Sequence, residues 1–222
     1  MIENGPTGLV RPCGDGARLA VSLRMTDESE RIAKATSELR HRMANVFQLI
    51  GALARMRGQK TTDPETRRQL AWVADAVGTL GALERHRTVD GVDFGAYLNE
   101  LGPTWRRRHG VQTPPLIVEA QALHVPDSAA TSLALIAQEL VANALSHGNP
   151  TEVILGFAEL QPGRCELSVR DDGAGFDPAA DSGREKFGLW FVRSLSAQVR
   201  GEFVLEQRLG VIARLTFALE QP

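Results

Sequence analysis

Four groups of residues in this chain have the types and spacing to do chemistry. The first surrounds His41, with Glu38 three positions before it, Asn45 four after and Gln48 seven after, so all four share one face of a helix. An exposed imidazole beside a carboxylate is a workable nucleophile, because Glu38 can hold one ring nitrogen protonated and leave the other free to attack. The plain alternative is a solvent-facing histidine with no task. The second group is Glu139, Asn143 and His147 at i, i+4 and i+8, three polar groups on one edge of an otherwise apolar helix. A carboxylate and an amide on a buried side need partners, and hydrated Mg²⁺ with phosphates would supply them. An ordinary polar stripe on a half-exposed helix explains the same pattern. The third group is Asp171-Asp172-Gly173-Ala174-Gly175, an acidic pair where a strand runs into a Gly-x-Gly turn. A carboxylate there can accept from an exocyclic amine such as that of adenine, beside backbone that a ligand can approach closely. Turns use the same residues without any ligand. The fourth is Gly188-Leu189, which opens a helix and would leave free N–H groups and a positive dipole end for phosphate; a simple helix cap is the alternative.

Two kinds of element must position these groups. Leu39, Met43, Val46, Ile50 and Leu53 are spaced 4, 3, 4, 3, with Ile32 seven residues before Leu39: a heptad seam. Asp27 is its expected N-cap, and the Gly58-Gln59-Lys60-Thr61-Thr62 stretch is expected to break it. Asp63-Pro64 restarts helix with a capping residue and a proline at the first helical position. Leu70, Val73, Val77 and Leu80 then repeat the spacing. The two helices predict an antiparallel hairpin whose apolar stripes stay partly wet, and pairing two hairpins into a four-helix bundle would cover them, so a homodimer is expected. Beyond Val89 the texture changes. Helices are expected over 93–105, 127–146 and 186–199, and strands over 116–120, 152–160, 164–170, 202–207 and 211–219. That mixture predicts an α+β fold with helices layered over a sheet. Residues 17–25 suit either strand or helix, and the Gly- and Pro-rich first sixteen residues read as a tail.

Composition bounds the function. The chain has 222 residues with 25 basic and 27 acidic side chains, so 25 − 27 gives a net charge of −2, and 43% of residues are hydrophobic. Such a chain buries an ordinary core but lacks the basic excess of a bulk nucleic-acid binder, and Arg106-Arg107-Arg108-His109 reads as a solvated helix end. Two cysteines, Cys13 and Cys165, build no disulfide framework and suit a reducing compartment; Cys165 reads as core. No uninterrupted apolar run of membrane-spanning length and no leader pattern is present, so a cytoplasmic protein without membrane insertion is expected. Trp72, Trp105 and Trp190 read as packing residues, and His86, His109 and His124 lack ligand-spaced neighbours for a structural zinc.

Taken in order, these motifs carry a resemblance. The stretch Glu38-Leu-Arg-His41-Arg42-Met-Ala-Asn45-Val-Phe-Gln48 resembles the His-Arg-x-x-Asn phosphoacceptor box of a subfamily of two-component sensor histidine kinases. The segment from Glu139 to Gly148 resembles the N box, Asp171 to Gly175 the G1 box and Gly188-Leu189 a reduced G2 box of the GHKL-type (Bergerat) ATP-binding domain. The resemblance implies a tail over 1–24, a dimerisation and phosphotransfer hairpin over 25–90, and an α/β sandwich of Bergerat type over 91–222. It implies ATP and Mg²⁺ as cofactors. His41 would take the phosphoryl group and pass it to an aspartate on a response regulator receiver domain. Glu38 and Asn45 would assist at His41. Asn143 would hold the metal, Glu139 would orient its water or act as a base, and Asp171 would bind the adenine amine. His147, Gly173, Gly175, Lys186, Gly188 and Leu189 would complete the nucleotide site. Ser146 stands where relatives carry a lysine, and Lys186 or Arg184 is the expected replacement cation. No sensor domain is expected in the first thirty residues, so input is expected from a separate sensor protein, from the tail or from phosphate flowing in reverse. The alternative is a histidine phosphotransferase of the same architecture whose C-terminal domain no longer uses ATP.

Overall fold

A computed structural model describes residues 15–109, 114–175 and 187–219, with the side chains of 15–30, 33 and 106–109 left aside. The chain divides into two compact units, residues 1–42 and 43–222. In the first, helix α1 begins; it runs Asp15–Lys60. Of the expected tail over 1–24, residues 15–24 are helical instead, and residues 1–14 lie outside the described residues. Asp27 is not a cap either, since the helix passes through it. Residues 17–25, open between strand and helix in the sequence, are helix.

In the second unit the hairpin is present, and residues other than the apolar heptad make its inner seam. Helix α2, Pro64–Leu83, starts as the sequence indicates, with Asp63 as N-cap: its carboxylate Oδ2 accepts from the Thr66 backbone N–H at 2.8 Å. Facing α2 from α1 are Ala44, Gly51 and Gly58, three small residues seven apart and all buried, together with Phe47, which packs against Gly81. A Cβ added at Gly51 would meet the Ala74 carbonyl at 3.2 Å, and one at Gly58 would meet the Leu70 Cβ at 3.5 Å. Small residues let the helix backbones approach closely. Gly58 itself packs inside α1, which ends at Lys60, within the 58–62 stretch expected to break it. The large apolar heptad stays outside: Met43 is 40% exposed and Leu53 55%.

The rest of the unit is a two-layer α+β domain. A short antiparallel sheet links β1 (Arg87–Thr88), β2 (Gly91–Asp93) and, after α3 (Phe94–His109) and β3 (Leu116–Ala120), β4 (His124–Val125). Helix α4 spans Asp127–Ser146, followed by β5 (Val153–Gln161), β6 (Arg164–Asp171), α5 (Phe187–Gln198), β7 (Glu202–Arg208) and β8 (Gly210–Ala218). The main sheet has the order β3-β5-β6-β8-β7, with β3 parallel to β5 and the other pairs antiparallel. Alternation decides its faces: Val153, Leu155 and Phe157 of β5, Cys165, Leu167 and Val169 of β6, and Ala213, Leu215 and Phe217 of β8 are all buried. They meet Leu133, Ile136, Ala137 and Leu140 of α4 and Val192 of α5 in one core.

Helix α4 is the one described helix long and apolar enough to cross a membrane, and 61% of that stretch is buried inside the fold. Cys165 is core as expected, and burial pushes its thiol up to about 11. Trp105 is core as well, but Trp190 is 52% exposed, against its reading as a packing residue. The three short strands β1, β2 and β4 were not foreseen. The contacts also do not divide at residue 90: helix α2 packs on α4, so the hairpin from Met43 onward is continuous with the sheet domain.

Candidate functional site

Asp171 ends β6, the middle strand of the main sheet, and is paired on both sides, opposite Val153 and Val211. Only 8% of it is exposed, and burial pushes its carboxyl above the ordinary aspartate range, opposed by backbone N–H donors. One of these is the Gly173 N–H, at 3.0 Å from Oδ1. Its sequence neighbour has a different task. Asp172 is exposed and accepts from the backbone N–H groups of Thr151 at 2.6 Å and Glu152 at 3.1 Å, and from the Thr151 hydroxyl. The side-chain bond to Thr151 leads in holding its carboxyl below the usual range. Of the acidic pair, one member faces the turn and the other ties down the start of β5.

The glycines of this turn are held by what surrounds them. A Cβ on Gly173 would meet the Gly148 carbonyl at 2.8 Å, and that carbonyl accepts from the Ala174 N–H at 2.8 Å. The end of α4 and the turn after β6 are therefore one assembly. Gly175 has φ +77°, a left-handed conformation that side chains with a Cβ rarely adopt.

Glu139 and Asn143 stand one turn apart on α4. Glu139 is 7% exposed, and its Oε1 accepts from Asn143 Nδ2 at 3.2 Å. His147 does not continue their line. The helix stops at Ser146, and His147 is its C-cap with φ −126°, exposed and off the helical edge. The helical spacing ends there because His147 itself leaves helical dihedrals at the cap, and Gly148 and Asn149, both at positive φ, carry the chain away after it.

Gly188 closes the arrangement for a reason the sequence reading did not contain. It lies in the first turn of α5, where a Cβ would meet Glu139 Oε1 at 2.0 Å and Asn143 Nδ2 at 3.5 Å. Its missing side chain is the space that the Glu139 carboxylate fills. Leu189 follows it, half-buried. Lys186 and Arg184, the expected replacement cations, lie outside the described residues.

The structure also brings in a residue the sequence reading took for packing alone. Trp72 of α2 donates its indole N–H to Glu139 Oε2 at 2.7 Å. No periodicity links two residues 67 positions apart on different elements, so only the packing of α2 on α4 reveals it.

These donors fit a magnesium nucleotide. A half-buried amide oxygen suits a hard cation, a buried strand-end carboxylate suits an amine donor, and a glycine-opened helix start suits an anion.

His41 belongs to the first unit and is described by itself. It is exposed on α1, as are Glu38 and Asn45. Among the described residues no hydrogen bond joins His41 to either of them.

Comparison with known proteins matches both regions. Residues 38–107 match the family model described as histidine kinase, and residues 116–215 match that of the histidine kinase-like ATPase domain. The sensor histidine kinase PdtaS of Mycolicibacterium smegmatis is 26% identical over 167 residues, covering 71% of this chain and 34% of that protein. Its namesake in Mycobacterium tuberculosis is 26% identical over 174 residues, covering 74% of this chain and 35% of that protein. The chain thus spans about a third of the length of these curated relatives. Among solved structures, the blue-light activated histidine kinase of Erythrobacter litoralis EL346 superposes with a TM-score of 0.64 at 22% identity, over 85% of this chain and 60% of that one. Its histidine kinase domain alone gives 0.62 at 20% identity, over 83% of this chain and 94% of that one. The two family matches, in this order and on this fold, place the chain among the histidine kinases, with an ATPase domain of GHKL type.

Proposed function

We propose that this chain is a histidine kinase of the His-Arg-x-x-Asn subfamily that phosphorylates itself on His41 from Mg-ATP and passes the phosphoryl group to an aspartate of a response regulator. The observation that carries this reading is the joint placement of Glu139, Asn143 and Gly188, where a hydrogen-bonded carboxylate and amide fill the space a glycine leaves open. A domain that had lost its nucleotide would have no use for that fit, which weighs against the phosphotransferase alternative.

Each residue then has a physical task. Asp171 accepts from the adenine amine, Asn143 offers its amide oxygen to the metal, and Glu139 orients metal-bound water. Bound Mg-ATP supplies the phosphoryl group with its charge partly neutralised. His41 attacks through the ring nitrogen that lacks a proton; the N–P bond forms as the bond to ADP breaks, and the proton on the other nitrogen passes to Glu38. Asn45, one turn on, is placed to position water at the regulator's phosphoaspartate. A homodimer and a cytoplasmic setting belong to the same reading. The exposed heptad supports the first, with Leu39 at 59% exposure and Val46 at 54%. The two cysteines, too few for a disulfide framework, are in keeping with the second.

The test is incubation with radiolabelled ATP and Mg²⁺. Label on the wild type and none on His41→Ala is the expected result. No label on either, with phosphate accepted from a phosphorylated receiver, would replace the kinase by the phosphotransferase.

A further inference from the structure

Trp72 sits half-buried on α2, with its ring edge-on to Phe187 and Phe191 of α5, each at 5.3 Å between centroids. Packing accounts for the ring but not for the nitrogen. The indole N–H points at Glu139 Oε2, the oxygen that Asn143 leaves free. The carboxylate is thereby held from both ends: Oε2 by the hairpin helix, Oε1 by the amide of Asn143. An amide that donates through Nδ2 keeps Oδ1 as its acceptor, and oxygen is the atom a hard cation takes.

The helix bearing Trp72 is itself fixed to α4 next to Glu139. Gln138, with its amide nitrogen toward the Asp75 carbonyl at 2.9 Å and the Thr79 hydroxyl, accepts from the Ala76 N–H at 3.0 Å. Gln138 and Thr79 are both buried, so this polar lock is shielded from water. A shift of α2 along α4 would therefore break the lock and pull the indole from the carboxylate together.

We propose that Trp72 is a positioning residue for the metal side of the nucleotide site: its N–H orients Glu139, and Glu139 in turn fixes which end of the Asn143 amide is offered to the cation. The proposal rests on the nucleotide reading of the site given above. It makes metal affinity depend on where the hairpin helix lies, through a single hydrogen bond.

The test is a calorimetric titration of the full chain with a non-hydrolysable ATP analogue, once with Mg²⁺ and once in EDTA. Trp72→Phe keeps a ring against Phe187 and Phe191 and removes only the donor. Affinity with Mg²⁺ is expected to fall by about five- to tenfold, the size of one hydrogen bond to a charged group acting at second hand, while affinity in EDTA stays the same. In a Glu139→Gln background the same substitution is expected to have a smaller effect, since a neutral amide leaves less charge for the indole to orient. A ligand-free readout stands beside these: the Trp72 indole N–H in ¹⁵N spectra of the wild type is expected to be protected from solvent exchange and to shift in Glu139→Gln. Equal losses with and without metal, or none, would reduce Trp72 to packing. An indole signal that ignores Glu139→Gln would remove the hydrogen bond itself. Absence of nucleotide binding by the wild type would overturn the nucleotide reading, and this proposal with it.

Discussion

The two regions that carry chemistry are built in opposite ways. Around His41 the side chains stand in the open: Glu38, His41 and Asn45 are all exposed, on a helix whose large apolar residues are exposed as well. At Glu139 and Asp171 the carboxylates are buried, and they are held by the half-buried Asn143 and Trp72 and by backbone. An exposed nucleophile can be met by more than one partner in turn. A buried constellation is paid for in desolvation and returns a fixed geometry for one ligand class. The contrast separates a surface that is visited from a site that is preorganised.

Breaking one region should leave the other intact, and the largest effect is expected at the surface. His41→Ala is expected to abolish labelling while nucleotide affinity, measured by calorimetry, stays at the wild-type value. A parallel loss of affinity would mean the two regions are not independent. The converse variant is Gly188→Ala. Its Cβ would intrude on the Glu139 carboxylate. Overpacking of about 1–3 kcal/mol is expected, or roughly five- to 150-fold in nucleotide affinity, with His41 still accepting phosphate from a phosphorylated receiver.

Ile50→Glu asks whether the exposed heptad is an interface. Replacing one buried apolar side chain per subunit removes about 3 kcal/mol or more from a dimer, so sedimentation should find monomers where the wild type is dimeric. Nucleotide affinity should not change. Unaltered mass would detach the heptad from dimerisation.

Asp171 sharpens the buried half through pH. Its folded-state pKa is raised by burial, so the carboxylate available to the adenine amine is present above that raised value and is lost as pH falls through it. Nucleotide affinity should therefore weaken on acidification sooner than an ordinary aspartate would allow. For stability the sign is reversed: the folded form holds the proton more tightly, so this group's contribution declines as pH rises from the ordinary aspartate range through the raised value. Asp171→Asn should abolish both dependences and cost about tenfold in preference for adenine over guanine nucleotides.

The smallest effect is expected at Asp63, where alanine removes the N-cap of α2. A slightly lower melting temperature with unchanged nucleotide affinity is the expected result.

Much of this molecule was legible from residue order alone. Alternation located β5 and β6 within a residue or two, because a half-buried sheet favours that pattern, and β7 and β8 also lie within a residue or two of their expected spans. Asp63-Pro64 located the start of α2, because capping is a local event. Hydrophobic period finds the large side chains that stay exposed along α1, whereas it does not find the inner seam, where α1 meets α2 through Ala44, Gly51 and Gly58 with Phe47 against Gly81. His147 was assigned to a helical edge that ends one residue too soon.

By itself the sequence determined the longer elements, their order and the residue types at the site, since these follow from neighbours along the chain; the short strands β1, β2 and β4 did not show in it. Tertiary structure alone decided which partner each polar group received. Asp171 and Asp172 are adjacent and alike in type, yet one is buried at the turn and the other is bound to Thr151. Trp72 lies 67 residues before Glu139 and donates to its carboxylate. The physical reason is the same in both cases: burial and hydrogen-bond partnership are properties of the space between elements, which no periodicity within one element encodes.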